Sequence, residues 1–181
     1  MPPADGGSPA PIDRPILEYI RDRVATASQV TSAELTSATG GLELRIELAD
    51  AYYPPNVSDA TLSVRWYTND DFAIHYREIH DDGTWECRWD RHPNPHNSRD
   101  HVHPPPDAAT PGRDETWPTD YRDVIRQVFA AIENRIADIW NELRDRQSTP
   151  RNAHPTYRAS SWRTRRAEWV HCIPDDGGSE A

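Results

Sequence analysis

The 181-residue chain contains no lysine, and this absence is the first clue to its nature. All 20 of its basic residues are arginine and they face 30 acidic residues, which gives a formal net charge of −10. Such a composition is typical of proteins from salt-loving microbes, because high salt screens the self-repulsion of a strongly acidic surface. A genomic bias towards arginine codons produces the same lysine deficit, and the two explanations are compatible. We therefore expect a halophilic, acidic protein whose net charge says little about its partners.

Cysteine and long apolar runs are also scarce. The two cysteines, Cys87 and Cys172, are too few for a disulfide scaffold, and their spacing matches no metal-binding motif, so we expect reduced thiols. No apolar stretch approaches the roughly 20 residues that span a bilayer. No charged and then apolar leader opens the chain either. These absences predict a cytoplasmic protein without a membrane partner.

The hydrophobic pattern predicts an α+β domain. Apolar residues recur at helical spacing from Ile16 to about Ala27, with Asp13 as the N-cap. Apolar and polar residues then alternate in four candidate strands, at residues 42–48, 61–67, 72–79 and 84–89. A loop rich in histidine and proline follows, and a second helical stripe runs from near Thr119 to about Arg146. We expect a four-stranded antiparallel meander with an N-terminal helix and a long C-terminal helix on one face.

The charge is distributed unevenly along the chain. We expect a disordered segment at 1–11, a single domain at 12–146 and a basic tail at 147–181. Residues 144–168 carry seven arginines and only two acids. Within them, Arg163, Arg165 and Arg166 follow Trp162, a mixture that suits phosphate pairing and base stacking on RNA. Docking of the tail on the protein's own acidic surface, or disorder, are the alternatives.

Residues 89–103 hold four of the chain's eight histidines: His92, His96, His101 and His103. No helical or strand periodicity runs through this stretch, so the sequence predicts a loop. Imidazole is the side chain that titrates near neutral pH without help from its surroundings. Four of them together indicate proton transfer or metal binding.

The favoured interpretation is a metal-independent, cofactor-free site that cleaves RNA. His96, His101 and His103 are the candidate proton carriers, and Asp90 is expected to orient one imidazole. Attack by the 2′-hydroxyl needs a proton acceptor, a proton donor and a cation near the phosphate. Three arginines near the loop are the candidate cations: Arg88, Arg91 and Arg99.

Two other interpretations remain open for the same stretch. A zinc ion needs three or four ligands at about 2 Å, and His96, His101, His103 and Asp90 supply that number. Their spacing matches no established zinc motif, however. The remaining alternative is a solvated loop whose histidines have no role.

The same region resembles the TumE-type toxins. In that family a strand ends in an aromatic residue and an aspartate, a loop with proline and histidine follows, and a His-x-His motif closes it. Here Trp89-Asp90 matches the pair, His96 the histidine within the loop, and His101-Val102-His103 the close. In the family an acidic spacer and a C-terminal helix follow, and the stretch at 104–116 and the helix after it match these two parts. The resemblance covers about residues 40–145 and leaves the N-terminal helix and the basic tail as additions.

This resemblance implies a toxin of a toxin–antitoxin pair that acts on RNA or translation. It also implies a protein partner, a winged-helix or helix-turn-helix antitoxin encoded beside it. The main alternative is a non-enzymatic interaction module, in which an acidic α+β domain binds a partner through its basic tail. A metal-binding domain is the third possibility.

Overall fold

The structure, a computed structural model, describes residues 10–39 and 41–148. One helix precedes the sheet and one follows it. The elements are α1 (Arg14–Val24), β1 (Val30–Ala38), β2 (Gly41–Leu48), a short 3-10 helix (Asp50–Tyr52), β3 (Val57–Trp66), β4 (Phe72–His80), β5 (Gly83–Arg91), β6 (Asp100–His103), β7 (Arg113–Asp114) and α2 (Tyr121–Ser148). The basic tail beyond Ser148 lies outside the described residues.

All the strands form one antiparallel sheet, in which each strand pairs with its neighbours in sequence. The sheet has seven strands, so the expected count of four was too low. The four expected strands correspond to β2, β3, β4 and β5, whereas β1, β6 and β7 were missed. The stretch at 89–103 was expected to be a loop throughout, but its two ends belong to β5 and β6. The overall α+β class and the flanking helices are confirmed.

One face of the sheet carries the hydrophobic core. Residues that pair across antiparallel strands point to the same face. Leu44 pairs with Val64, and Tyr76 pairs with both Leu62 and Cys87. All five side chains are buried, so they define what we call the core face. Alternate residues of β5 therefore point to the opposite side, which we call the second face.

Both helices contribute to the core. The carboxylate of Asp13 accepts a hydrogen bond from the backbone N–H of Ile16 at 3.1 Å and caps α1, as the sequence indicated. Three apolar side chains at helical spacing on α1 are buried: Leu17, Ile20 and Val24. The stripe on α2 joins the same cluster through Val124, Ile125, Val128, Ile132 and Ile139. Within the described residues, neither helix is sufficiently long and apolar to cross a membrane.

Candidate functional site

The candidate site lies on the second face, where β5 pairs with β6. In this pairing Asp90 faces His101, and Arg88 faces His103. Because side chains alternate along a strand, all four point away from the core face. His92 follows directly after β5 and brings a third imidazole to the same place. We call these five residues the Asp90 cluster.

The cluster is centred on one carboxylate oxygen, Oδ2 of Asp90. The Nε of Arg88 donates a hydrogen bond to it at 2.7 Å. The Nε2 atoms of His103, His101 and His92 lie 3.3, 3.6 and 3.7 Å from the same oxygen. The rings also contact one another edge to face, with centroids 4.9 Å apart for His92 and His101, and 5.1 Å for His101 and His103. Three imidazoles and one guanidinium therefore converge on a single acid.

Backbone carbonyls fix the orientation of each imidazole. In every case the Nδ1 atom lies against a carbonyl oxygen, which can only accept a hydrogen bond. The partners of His92, His101 and His103 are the oxygens of Pro93 at 3.0 Å, Ser98 at 3.1 Å and Ala109 at 2.9 Å. These contacts favour a proton on each Nδ1 and direct each Nε2 towards Asp90.

The cluster has a buried interior and an exposed edge. Asp90, His101 and His103 are only 1, 1 and 4% exposed, whereas the side chains of Arg88 and His92 are 37 and 41% exposed. Any molecule that approaches the cluster therefore meets Arg88 and His92 first. The second oxygen of Asp90, Oδ1, is buried and has no hydrogen-bond partner among the described residues.

The pKa shifts within the cluster run in different directions. Burial raises the pKa of the Asp90 carboxyl, but its interactions with His92 and Arg88 outweigh burial and hold the pKa below its ordinary value. The pKa of His92 is raised, chiefly by Asp90. The pKa of His103 is lowered, chiefly by burial. The surroundings thus favour the ionised form of Asp90 and the charged form of His92, and disfavour the charged form of His103.

Two loop segments close over the second face. In the segment at 92–99, the side-chain oxygen of Asn94 accepts backbone N–H bonds from His96 and Asn97 at 2.9 and 2.7 Å. Asn97 then exchanges two hydrogen bonds with the backbone of Gly112, at 2.9 and 3.0 Å. A Cβ atom on Gly112 would come within 2.6 Å of the oxygen of Val102, so this close approach requires glycine. The two segments are therefore joined to each other, and their backbone carbonyls contact the three imidazoles.

The structure brings together only part of the set expected from the sequence. Asp90, His101, His103 and Arg88 meet, as described above. His96 is exposed on the loop, and no contact within the described part of the chain joins its ring to Asp90. Arg163, Arg165 and Arg166 lie outside the described residues.

Two of the expected phosphate-binding arginines are committed to protein partners. Arg91 is buried on the core face, where it binds Asp100 and the backbone oxygens of Trp117 and Pro118. Arg99 pairs with Asp71, with Nη2 2.7 Å from Oδ1. Within the described residues, both guanidiniums contact these partners rather than the Asp90 cluster.

Sequence reasoning also missed a buried polar network on the core face. Glu78 is fully buried on β4 and accepts hydrogen bonds from Tyr76 at 2.8 Å and from the Nε and Nη2 of Arg135 at 3.1 and 3.0 Å. His80 lies 2.6 Å from the same carboxylate. Arg135 also stacks 4.2 Å from the ring centre of Trp85. The sequence signal was a glutamate at an inward-facing position of β4 that follows Phe72, Ile74 and Tyr76 on the same side.

Comparison with protein families assigns the chain to a class of toxins. The sequence profile of the family described as Toxin TumE matches residues 13–136, about two thirds of the chain. The chain belongs to the TumE toxin family. The match begins at the cap of α1, so the N-terminal helix is part of the family pattern and not an addition. Searches of curated proteins and of solved structures gave no match.

Membership in this family fixes the function at a coarse level. The protein is of a kind that acts as the toxin of a toxin–antitoxin pair. Its partner is accordingly an antitoxin.

Proposed function

We propose that the protein is a toxin that cleaves RNA at the Asp90 cluster by histidine-based proton transfer. The observation that supports this most directly is the convergence of three imidazoles on one buried carboxylate, with a cationic, partly exposed edge. Attack of an RNA 2′-hydroxyl on the adjacent phosphate needs a proton acceptor, a proton donor and a positive charge. The cluster contains all three.

The exposed edge suggests how the roles divide. Arg88 and His92 are the members that reach solvent, so in this proposal Arg88 binds the phosphate and His92 exchanges a proton with the substrate. His101 and His103 complete the proton-transfer set from the buried side, and Asp90 orients the imidazoles. This proposal adds His92 to the set chosen from the sequence.

The loop and the tail extend the proposed RNA surface. His96 is exposed on the same loop as His92, and the proposal gives it a contact with RNA close to the reacting phosphate. The basic tail with Arg163, Arg165 and Arg166 supplies further phosphate contacts. Changing these three arginines to Gln should flatten the dependence of RNA affinity on salt, because each lost phosphate contact lowers the slope by about 0.7 for a single strand.

The central experiment removes Nε2 without removing the buried hydrogen bond of Nδ1. In His101→Asn and His103→Asn, the amide N–H₂ takes the position of Nδ1–H and still donates to the backbone carbonyl. We expect the double variant to fold, by circular dichroism, and to cleave a synthetic oligoribonucleotide about 10²–10⁴-fold more slowly. The matched control is His75→Ala, because His75 lies on the same face of the sheet outside the cluster.

Growth assays complete the test. Expression of the wild-type chain should slow growth, co-expression of a neighbouring winged-helix or helix-turn-helix antitoxin should restore it, and the double Asn variant should be harmless. A folded double variant that remains as toxic and as active on RNA as the wild type would exclude His101 and His103 from the chemistry. A wild-type chain that is well expressed, harmless and inert towards RNA would favour the interaction module.

A further inference from the structure

The orientation of the three imidazoles has a second chemical implication. Since each Nδ1 donates to a backbone carbonyl, each neutral imidazole keeps its lone pair on Nε2, facing the Asp90 carboxylate. Lone pairs that point at an anion repel it unless a cation lies between them. Imidazoles that bind metals commonly have their other nitrogen held by a carbonyl or carboxylate in this way.

The spacing of the donor atoms fits a shared metal ion. Hydrogen bonds between charged partners are usually about 2.7–2.9 Å long, which is shorter than the three distances from Nε2 to Oδ2. Two ligands that each lie about 2.0–2.1 Å from a tetrahedral ion are roughly 3.3 Å apart. The Nε2 of His103 is 3.3 Å and that of His101 3.6 Å from Oδ2. One donor atom from each of Asp90, His101 and His103 can be chosen so that all three lie within 4.8 Å of one another.

The unpartnered oxygen of Asp90 is an independent observation. A buried carboxylate oxygen without a hydrogen-bond donor is costly, by more than the roughly 1–3 kcal/mol of a neutral group. Oδ1 of Asp90 is in this position within the described chain, although Oδ2 is crowded by four nitrogen atoms. A cation beside the carboxylate offsets part of this cost, because it compensates the negative charge that the two oxygens of Asp90 share.

We propose that Asp90, His101 and His103 bind one divalent transition-metal ion, with His92 beside them at the solvent edge. A bound ion occupies the Nε2 atoms that the proposed cleavage uses for proton transfer, so the metal-bound cluster and the proton-transferring cluster are alternative states of the same residues. The donor set of imidazole and carboxylate suits zinc, cobalt, nickel, manganese or iron(II) rather than calcium or magnesium, which prefer oxygen ligands. Cys87, the cysteine within the described residues, takes no part, since it points to the core face. The open edge at His92 leaves room for a further ligand.

The positive charge of Arg88 opposes the binding of a cation at this site, so changing Arg88 tests the proposal. Its guanidinium donates to the same Oδ2 oxygen and repels an incoming cation. If the cluster binds metal, removing this charge in Arg88→Met should tighten binding, while removing a ligand in His103→Asn should weaken it. An ordinary ion-pair network predicts no such opposite changes.

The experiment uses the untagged full chain, freed of metal by chelation and then titrated with Co²⁺. We expect the visible absorption of Co²⁺ bound to nitrogen and oxygen ligands, with one ion per chain and displacement by Zn²⁺. His103→Asn should lower the affinity by more than the 10–100-fold loss that a partner outside the metal's own ligands typically causes. His75→Ala should bind as the wild type does, and Arg88→Met should bind more tightly.

Equal Co²⁺ affinity in the wild type and in His103→Asn would overturn the proposal, as would the lack of an absorption band in the wild type. These measurements contain no RNA, so their outcome does not depend on the proposed cleavage. Conversely, RNA cleavage by the chelated wild type at an undiminished rate would show that proton transfer suffices for that reaction, and the titration would still decide the metal site.

Discussion

Arg135 on α2 neutralises a carboxylate that is completely buried under it. Glu78 has no exposed surface, and the side chain of Arg135 is 12% exposed. If Arg135 is changed to Met, a long apolar side chain remains over Trp85, but the charge that compensates Glu78 is lost. Removing one partner of a buried ion pair typically costs about 3–5 kcal/mol, because the remaining charge stays buried without its counter-charge.

The contacts that remain place Arg135→Met at the lower end of that range. Tyr76 still donates to Glu78, and His80 still lies beside it, so the carboxylate keeps polar partners. We therefore expect the free energy of unfolding to fall by about 3 kcal/mol, a large part of the 5–15 kcal/mol of an ordinary domain. For a protein of this size, the corresponding decrease in Tm is roughly 6–12 °C.

Urea unfolding followed by tryptophan fluorescence measures this loss. The matched control is Arg14→Met, which breaks an exposed pair between Arg14 and Glu18 in α1, with side chains 59 and 40% exposed. That change should cost at most about 0.5 kcal/mol. The double variant Glu78→Gln with Arg135→Met should be more stable than Arg135→Met alone, because no buried charge remains.

If Arg135→Met lowers the free energy of unfolding no more than Arg14→Met does, this prediction is wrong. That result would mean that the loss of Arg135 does not leave an uncompensated buried charge at Glu78. The double variant separates this outcome from a general loss of packing. A pure packing loss would leave the double variant as unstable as the single one, or less stable.

Three further predictions concern ions and protons. Dialysis from molar salt to about 0.05 M, where the Debye length grows from about 3 Å to over 10 Å, should cause a marked loss of structure in circular dichroism; an unchanged spectrum would contradict halophilic folding. Burial raises the pKa of Cys87 to about 12, so in a Cys172→Ser variant at pH 8 this thiol should react with a thiol reagent only after unfolding. Burial raises the pKa of Asp100, but Arg91 and the Trp117 N–H outweigh it, so the pKa is lowered. Its stabilisation is therefore present above about pH 4 and lost as the pH falls through the folded value; urea unfolding should show a cost for Asp100→Asn at pH 7 that shrinks below about pH 3.9.

The parts of the fold that the sequence predicts are those in which one face is apolar. Strands β2 to β5 alternate clearly because one face packs on the helices, and α2 shows a continuous stripe for the same reason. β1 lies at the sheet edge and contains few large apolar residues, so it gives little periodic signal. β6 is almost entirely polar, because His101 and His103 face the second face under the loops.

The candidate site could be located in the sequence as a region, but its set of contacting residues could not. The density of histidines at 89–103 indicates a site of proton transfer or metal binding, yet it does not show which imidazole rings lie close together. That is decided by the register of β5 and β6, which places Asp90 opposite His101. His92 reaches Asp90 because it directly follows the strand, whereas His96 lies four residues further along an exposed loop.

The buried carboxylates on the two faces of the sheet differ in their hydrogen-bond partners. On the core face, Glu78 is matched by Arg135 and Tyr76, so both of its oxygens have donors. On the second face, one oxygen of Asp90 has no donor within the described part of the chain, and the other faces the Nε2 atoms of three imidazoles. Local departures from full hydrogen bonding are expected where a protein binds or reacts rather than where it only packs. The Asp90 cluster is therefore the better candidate for function, and the Glu78 network the better candidate for stability. Substitutions in the Asp90 cluster should therefore lower activity, whereas substitutions in the Glu78 network should lower the free energy of unfolding.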